Sequence, residues 1–512
     1  MSKLGDHQFS LISACADTIG GGSVQQDRAF SKKIHEGDAY GVFDGHSSET
    51  GHIAAQAASD SIQCELEKPA VCEMLNTAPK ECMKELFECA HRAIWTAFEK
   101  HFTRLGYEVK VGYREGDSKS SAENAFLLKK KPHDFVWKVI KGGTTATLVI
   151  ILEPDARFNR TNTQLIVASV GDSTALLGGI SVPDRQLKAV DLSSHYQDKT
   201  TDTSTPHVSE GGASASDAST SQPVQSIFDC AEATAEDACA VSMTDGCEPT
   251  VEDAFAATDV VKHEHLPGCE FGTLVLSSDE HSPENPSECA RMISCCPNPK
   301  NNSEPYLQFW YDSQSWSSDK LPIFEYSSGI PNAINQEYCG GKFYKNVRNE
   351  WASFVSLPST SGHQESLAMT RSLGDFYLDI HGVSHDPEVL VIDLDLATST
   401  MGDRDDGVLG MLMLASDGVW DNWKFSDAMG EILNPLKIPA VIAQVATGAG
   451  ASAGAGAGVG AGAGAGAGQI TQAVVQRLTD QFLAKNDQIA TGHFGNNRDN
   501  QVVQIILLVK DM

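Results

Sequence analysis

The sequence predicts an α+β sandwich, and two kinds of segment carry that prediction. Several short apolar runs are rich in β-branched residues and are bounded by Gly, Asp or Asn, which is typical of strands. A few longer segments instead repeat apolar residues at the i, i+3, i+4 spacing of amphipathic helices. Many strands combined with few, long, paired helices favour an α+β sandwich over alternating βαβ units.

The strand-like runs are distributed along the whole chain, and helical segments lie between them. The runs are residues 9–16, 39–45, 144–152, 164–172, 408–418 and 501–509. Helical patterning covers residues 52–101, after the second run, and residues 473–485, before the last one. We therefore expect helices to accompany both the early and the late strands.

Two segments have the composition of insertions. Residues 197–270 are rich in Ser, Thr and Ala, and from Asp198 to Glu270 they contain 15 Asp and Glu against two Lys. Such a segment is predicted not to fold independently. It is either a solvated insertion or a docking or self-inhibitory element that competes for basic substrates. Residues 447–468 are a Gly/Ala tract, predicted to be a flexible linker, whereas the aromatic-containing residues 300–365 are predicted to be ordered.

Composition limits the partners and the compartment. The 512 residues carry a formal net charge of −30 and are 41% hydrophobic, enough for a sizeable core. Nucleic acids and anionic membranes attract basic surfaces, so neither is an expected partner. The N-terminus has no signal-peptide pattern, and no stretch reaches the about 18 apolar residues of a membrane span. The 13 cysteines show no CxxC pair, as in proteins with reduced thiols. We expect a cytoplasmic or nuclear protein, or one found in both.

Acidic residues recur at the ends of the predicted strands. Asp44, Asp172 and Asp417 follow apolar runs, Asp499 precedes the last run, and Asp421 lies four residues after Asp417. A single Asp-Gly is only a turn signal, but five such carboxylates can meet at one edge of a sandwich. Their repulsion would then call for bound cations. All-oxygen ligation suits Mg²⁺ or Mn²⁺ rather than zinc.

An ordered set of motifs resembles the metal-dependent protein phosphatases of the protein phosphatase 2C family. The motifs are "YGVFDGHSSETGH", "GGTTATLVI", "LIVASVGDSTALL", "DEHSPENPSECARM", "SLAMTRSLGD", "MLASDGVWDNW" and "RDNQVVQIILLV". The resemblance implies a four-layer α/β/β/α sandwich of two antiparallel sheets flanked by helices. It also implies one catalytic domain over residues 1–512, interrupted by 197–270 and 447–468, with 281–365 as an enlarged flap beside the active site.

The resemblance also assigns roles to the acidic residues. Asp44 matches the carboxylate that bridges two metal ions, with the carbonyl of Gly45 reaching the second ion. Asp417 and Asp499 match the other ligands of the first ion. Asp27 matches the position that holds metal-bound waters.

Further positions complete the site that the resemblance implies. Asp172 and Asp421 match residues that bind a weaker third ion in some family members, and His46 matches the proposed general acid. The implied protein is a serine/threonine phosphatase that uses two Mg²⁺ or Mn²⁺ ions. It would remove phosphate from phosphorylated proteins by direct attack of a metal-bridging hydroxide. We also expect it to be a monomer that takes part in signalling.

The chain departs from the family pattern at several positions. The family commonly has an Arg about five residues before the Asp27 position, where it clamps the substrate phosphate, and here Gly22 occupies that place. Arg28, an Arg from another loop, or nothing could replace it. Gln26 stands where Glu is frequent, Thr174 stands where Arg is frequent, and "DGHSSE" lacks the second glycine of the usual DGHGG. None of the direct metal ligands is lost.

Other motif residues are expected to support the fold. Arg371 and Asp375 in "SLAMTRSLGD", and His281 in "DEHSPENPSECARM", are interpreted as structural rather than catalytic. Two alternatives to an active protein phosphatase stay open. One is a catalytically dead phosphatase fold that acts as a binding or scaffold protein. The other is an enzyme of the same fold that acts on a different phosphomonoester.

Overall fold

Strands and helices both occur along the described chain of the computed structural model. The strands are β1 (Phe9–Thr18), β2 (Arg28–Ile34), β3 (Gly37–Phe43), β4 (Gly45–His46), β5 (Tyr107–Gly112), β6 (Ala125–Lys130), β7 (Lys138–Val139), β8 (Gly143–Thr144), β9 (Ala146–Leu152), β10 (Gln164–Val170), β11 (Thr174–Ile180), β12 (His263–Glu264), β13 (Phe271–Val275), β14 (Pro297–Asn298), β15 (Asn301–Pro305), β16 (Gln308–Tyr311), β17 (Leu321–Pro322), β18 (Phe324–Ser327), β19 (Ile330–Ala333), β20 (Ser353–Ser356), β21 (Ser366–Leu367), β22 (Leu373–Gly374), β23 (Glu388–Asp393), β24 (Val408–Ala415) and β25 (Gln501–Lys510). The helices are α1 (Gly51–Glu65), α2 (Pro69–Thr77), α3 (Pro79–Arg104), α4 (Pro286–Cys295), α5 (Phe376–Asp379), α6 (Leu394–Ser399), α7 (Asp417–Trp420), α8 (Phe425–Leu433), α9 (Lys437–Ala446) and α10 (Gln472–Phe494).

The structure describes thirteen stretches of the chain. They are residues 9–112, 125–130, 137–180, 263–264, 271–276, 281–312, 321–327, 329–334, 344–358, 366–399, 408–434, 437–446 and 470–510. These belong to one compact unit, which takes in Met1–Leu187 and Val261–Met512. The predicted linker 447–468 and nearly all of the predicted acidic insertion 197–270 lie outside the described residues.

Two antiparallel sheets form the centre of the fold. Within the described residues, the larger sheet has the strand order β1-β25-β24-β11-β13-β12, and the second has the order β2-β3-β9-β10-β23. Every neighbouring pair in both sheets is antiparallel. The predicted α+β class, with antiparallel sheets flanked by helices, is confirmed.

Strand β9 shows why the predicted strands are continuously apolar. Val149 and Ile151 point into the core between the two sheets, whereas Leu148, Ile150 and Leu152 pack against α1 and α3. Successive side chains of a strand face opposite sides, and here both sides are buried. A strand covered on both faces therefore contains no polar alternation.

The larger sheet repeats this arrangement on its own outer face. Leu412 and Leu414 of β24 enter the core between the sheets, while Met411 and Met413 join a core that includes residues of α8, α9 and α10. The order of layers is helices, sheet, sheet, helices. This matches the predicted four-layer sandwich.

The helical patterning of residues 52–101 corresponds to three helices, of which α3 is the longest. Pro79 stands in its first turn, where no intrahelical N–H is required. Met83, Phe87, Ile94 and Phe98 are fully buried and recur at helical spacing, so one face of α3 lies on the sheet. None of the described helices combines the length and apolar character needed to cross a membrane.

The described parts of residues 281–365 form α4 and small strands around a core that they share with residues outside the segment, such as Trp137 and Leu378. Phe309, Tyr311 and Val355 pack there with Met292 of α4. The segment is ordered where the structure describes it, as its aromatic content predicts. Its role as a flap stays a prediction.

Candidate metal centre

Most of the predicted acidic residues meet in one cleft. Asp44, Asp172, Asp417 and Asp499 line a space of about 500 Å³ together with His46. Asp44 follows β3 and Asp172 follows β10, both in the second sheet. Asp417 follows β24 and Asp499 precedes β25, both in the larger sheet. The two sheets therefore contribute carboxylates to the same edge, as the sequence pattern predicts.

The glycines that follow Asp44 and Asp417 allow close backbone approach. A Cβ on Gly45 would lie 2.2 Å from the carbonyl oxygen of Gly51, and a Cβ on Gly418 would lie 1.9 Å from that of Asn500. Neither position can accept a side chain without moving backbone. The Asp-Gly pairs are therefore required by packing as well as by turn formation.

The threonines of "GGTTATLVI" fix the backbone of Asp44. The Asp44 N–H donates to Thr145 Oγ1 at 3.1 Å, and the Asp44 carbonyl accepts from the Thr145 N–H and the Thr144 hydroxyl, both at 2.9 Å. Thr145 Oγ1 also hydrogen-bonds to Ser173 Oγ at 2.6 Å, next to Asp172. These bonds connect the supports of two carboxylates that are far apart in sequence.

Asp27 is buried behind the cleft. Its Oδ2 accepts a hydrogen bond of 2.8 Å from the Ser416 hydroxyl, while Oδ1 is buried without a partner. Burial raises the pKa of Asp27 to about 8; the hydrogen bond from Ser416 opposes this, and the nearby charges of Asp499 and Asp417 add to it. Such an environment suits a carboxylate that faces a cation or its water shell.

The remaining carboxylates repel one another. Burial, and then the charges of Asp27 and Asp417, raise the pKa of Asp44 well above its ordinary value. Burial and the charge of Asp499 also raise the pKa of Asp417. The Oδ1 atoms of Asp172 and Asp417 are buried without hydrogen-bond partners. Unpartnered carboxylate oxygens of this kind fit hard divalent cations such as Mg²⁺ and Mn²⁺.

His46 pairs with the buried Asp375, a contact that the sequence did not reveal. Its Nε2 lies 2.6 Å from Asp375 Oδ2, and the Asp375 side chain is wholly buried. Burial alone would lower the pKa of His46, but the Asp375 carboxylate outweighs it and holds the pKa above its ordinary value. Asp375, interpreted from sequence as structural, thus contacts the candidate acid directly.

Asp375 is itself held rigidly. Its Oδ2 accepts a 2.6 Å hydrogen bond from the Ser372 hydroxyl, and its N–H donates to the carbonyl of Gly142 at 3.0 Å. Its φ of 44° lies in the left-handed region, an uncommon conformation for a residue other than glycine. The left-handed turn directs the carboxylate of "SLGD" towards His46.

Arg371 and His281 occupy supporting positions. Arg371 pairs with Glu288 at 2.6 Å. His281 Nδ1 lies 3.2 Å from the carbonyl oxygen of Gly171, beside Asp172. Burial lowers the pKa of His281 to about 3, so it is neutral and can donate one N–H to that carbonyl. Both contacts agree with the structural roles expected from the sequence.

The residues at the missing phosphate clamp are placed as follows. Gly22 is exposed, and a Cβ there would lie 3.6 Å from the Asn500 side chain. Arg28 donates to Gln56 and to the carbonyls of Gln25 and Asp27, and it is not among the residues lining the cleft. The structure therefore does not place Arg28 in the cleft that the carboxylates line.

Lys141 does line the cleft, and sequence reasoning missed it. It immediately precedes Gly142 and its side chain is exposed. Ser47 lines the same cleft and has a φ of 86°, in the region that favours glycine. The glycine missing from the family pattern "DGHGG" thus corresponds to a position of backbone strain.

A second cluster, His91, Asp379 and His385, has ligand atoms within 4.8 Å of one another. Its geometry favours an ion-pair network over a metal site. His385 contacts Asp379 at 2.9 Å and Glu88 at 2.6 Å through its two ring nitrogens. The rings of His91 and His385 stack 4.1 Å apart, so their lone pairs do not converge.

Residues 352–447 match the family model of protein phosphatase 2C. No curated protein sequence matches the chain. It is similar in structure to serine-threonine phosphatase 2C from Toxoplasma gondii, with 12% identity and a TM-score of 0.44 over 98% of this chain and 96% of that one. It is also similar to Stp1 from Staphylococcus aureus (9% identity, TM-score 0.34, 100% of both chains). The third, PstP/Ppp from Mycobacterium tuberculosis, has 8% identity and a TM-score of 0.33 over 98% of this chain and 99% of that one.

The fold and the site first define a class of protein. It has two antiparallel sheets flanked by helices, and carboxylates from both sheets meet at a common edge. The matched segment takes in Asp375, Asp417 and Asp421. Over residues 352–447 the chain is similar to the protein phosphatase 2C family. The resemblance seen in the ordered motifs is confirmed.

Proposed function

We propose that this chain is an active protein phosphatase that hydrolyses phosphoserine and phosphothreonine. The observation that carries the proposal is one cleft that combines Asp44, Asp417 and Asp499 with His46, whose Nε2 is paired to the buried Asp375. A scaffold protein would be free to lose both the acidic cluster and the paired histidine, and this chain keeps both.

The acidic residues would divide two Mg²⁺ or Mn²⁺ ions between them. Asp44 would contact both ions, Asp417 and Asp499 would complete the first site, and the Gly45 carbonyl would face the second. Asp27 would hold water molecules of the cation shell. When bound, the cations lower the pKa of a water molecule and offset the charge of the phosphoryl oxygens.

His46 would protonate the leaving group. Its Nε2 is held by Asp375, and its Nδ1 is buried without a hydrogen-bond partner. A proton would pass from the protonated His46 ring to the serine or threonine oxygen as the bond from that oxygen to phosphorus breaks. An alkoxide is a poor leaving group, so a positioned acid of near-neutral pKa assists this step.

Lys141 would contact the substrate phosphate from the rim of the cleft. The family's arginine position is Gly22, and Arg28 is bound to other groups. An ammonium group contacts a phosphate as a point charge, without the bidentate geometry of arginine. We therefore expect weaker phosphate binding here than an arginine clamp would give.

The test is phosphate release from a phosphothreonine peptide with Mn²⁺, with and without chelator. Wild type should be active, the chelator should abolish the activity, and Asp44→Asn should lose most of it. Asp60→Asn, an exposed carboxylate on α1, is the matched control and should behave as wild type. If wild type and Asp44→Asn are equally inert at saturating Mn²⁺, the result would contradict the proposed activity and favour the scaffold alternative.

A panel of substrates separates the remaining alternative. A far higher kcat/KM on a small phosphomonoester than on phosphopeptides would indicate that the chain acts on another class of substrate. Phosphorylated proteins as partners, a monomeric state, and a cytoplasmic or nuclear location stay predictions.

A further inference from the structure

A short loop of the predicted flap closes on itself. We call residues 344–351 the basic loop, because it carries Lys345 and Arg348. Tyr344 and Trp351 form an antiparallel bridge, and their rings stack with centroids 3.9 Å apart. Inside this closure the Lys345 N–H donates to the Glu350 carbonyl at 2.7 Å. The loop is therefore a built hairpin.

The basic loop is attached to the C-terminal end of α7, the helix that begins at the cleft residue Asp417 and is followed by Asp421. Asn346 Nδ2 donates to Asp421 Oδ1 at 3.1 Å, and the Val347 N–H donates to the Asp421 carbonyl at 3.3 Å. Arg348 donates to the Trp420 carbonyl. Three successive loop residues thus bind α7, which begins at Asp417.

This attachment places the Lys345 ammonium among carboxylates. Its Nζ lies 3.6 Å from Asp172 Oδ2 and 3.8 Å from Glu350 Oε2. The side chain is 27% exposed, and its charge also acts on Asp421 and Asp417. A cation of the protein itself thus lies beside Asp172 and close to Asp421.

We propose that the Lys345 ammonium is a built-in cation that takes the place of a third metal ion between Asp172 and Asp421. The inference rests on the proposed function, since it assumes cations at Asp44, Asp417 and Asp499. A divalent ion beside Asp172 would meet the ammonium at contact distance, where like charges repel strongly. It would have to displace Lys345, which the basic loop holds in place.

The other loop residues fit this role. Arg348 binds both carboxylate oxygens of Glu350, at 2.7 and 3.0 Å, so Glu350 is engaged in an ion pair and is not available as a metal ligand. Asp421 Oδ1 accepts from Asn346. Asp172 Oδ2, Asp421 Oδ1 and both carboxylate oxygens of Glu350 thus already face donors or cations of the chain, whereas Asp172 Oδ1 has no hydrogen-bond partner.

The experiment counts metal ions bound to the full-length protein, with Mn²⁺ alone as the probe. Calorimetric titration and the electron paramagnetic resonance signal of free Mn²⁺ should both give two ions for wild type. Lys345→Met should bind three, and Lys345→Arg, which keeps the charge, should bind two. Lys424→Met removes an exposed lysine near Asp421 and should bind two.

Asp421→Asn provides a readout that does not depend on replacing Lys345. In the wild-type background it should leave two ions bound with unchanged affinity, whereas added to Lys345→Met it should remove the third ion. Three ions on wild type, a folded Lys345→Met with only two, or loss of an ion in Asp421→Asn would each overturn the inference while leaving the proposed function standing. Absence of Mn²⁺ binding to wild type would overturn both.

Discussion

Replacing Asp375 with Asn tests the assignment of His46 as the acid. The 2.6 Å contact joins His46 Nε2 to a carboxylate that is wholly buried, so it is a charge-assisted hydrogen bond of about 1.5–3 kcal/mol. If that energy serves protonation of the leaving group, its loss corresponds to about 10- to 100-fold in rate. Asn keeps the shape of the side chain but cannot stabilise the protonated ring by its charge.

The assay compares two substrates that differ in their need for an acid. A phosphothreonine peptide has an alkoxide leaving group, so Asp375→Asn should lower kcat on this substrate by the full 10- to 100-fold. p-Nitrophenyl phosphate has a stabilised phenolate as its leaving group, so the variant should lower kcat on this substrate only a little. The ratio of the two kcat values separates acid catalysis from a general loss of active protein.

Two results would contradict the reasoning. An equal loss on both substrates would show that Asp375 only supports the turn that also involves Ser372 and Gly142. An unchanged rate on the phosphopeptide would remove His46 from the mechanism. Asp386→Asn is the matched control, because it removes an exposed carboxylate whose partner is Lys84 at 3.3 Å. It should alter neither rate.

Three further predictions concern the phosphate contact and the fold. Lys141→Met should raise KM for the phosphopeptide by about tenfold, equivalent to about 1.4 kcal/mol, with kcat nearly unchanged; an unchanged KM would exclude Lys141 as a phosphate contact. Ser47→Gly should relieve the strained backbone and raise the free energy of unfolding by about 1 kcal/mol, measured by urea denaturation; a decrease would contradict the strain argument. His385→Gln should destabilise the fold by about 2 kcal/mol near neutral pH. Burial would lower the pKa of His385, but Asp379 and Glu88 raise it to about 10. Because the folded pKa exceeds the unfolded one, this contribution is complete below about pH 6.5 and is lost as pH rises towards 10. Urea denaturation of wild type and His385→Gln at several pH values measures this contribution. A difference between their free energies of unfolding that grows with pH would contradict the prediction.

The strands and the acidic edge could be predicted from sequence because both leave local signals. A strand buried on both faces, such as β9, is an uninterrupted apolar run. A carboxylate at the end of such a run, such as Asp44 or Asp417, stands out by its position. The order of these local motifs along the chain then carried the resemblance to the family. Each signal could be recognised from neighbouring residues alone.

The acid's partner could not be predicted in the same way. Asp375 and His46 are 329 residues apart, and the contact depends on a left-handed turn at Asp375 that no neighbouring residue type requires. The contact of Lys345 with Asp172 could not be predicted either. The basic loop matches none of the motifs, and Asp172 follows β10, which is distant in sequence. Only the folded chain shows which charges become neighbours.

The origin of the carboxylates explains why cations and fold belong together. Asp44 comes from one sheet, whereas Asp417 and Asp499 come from the other, so their repulsion acts across the contact between the two sheets. Ser416 opposes it by donating to Asp27 and accepting from the Val502 N–H at 3.1 Å. One hydroxyl cannot neutralise several buried charges. Two divalent cations could, and under the proposed function the same ions would supply the chemistry of the cleft, so the edge where the sheets meet is where a metal-dependent activity would be expected to arise.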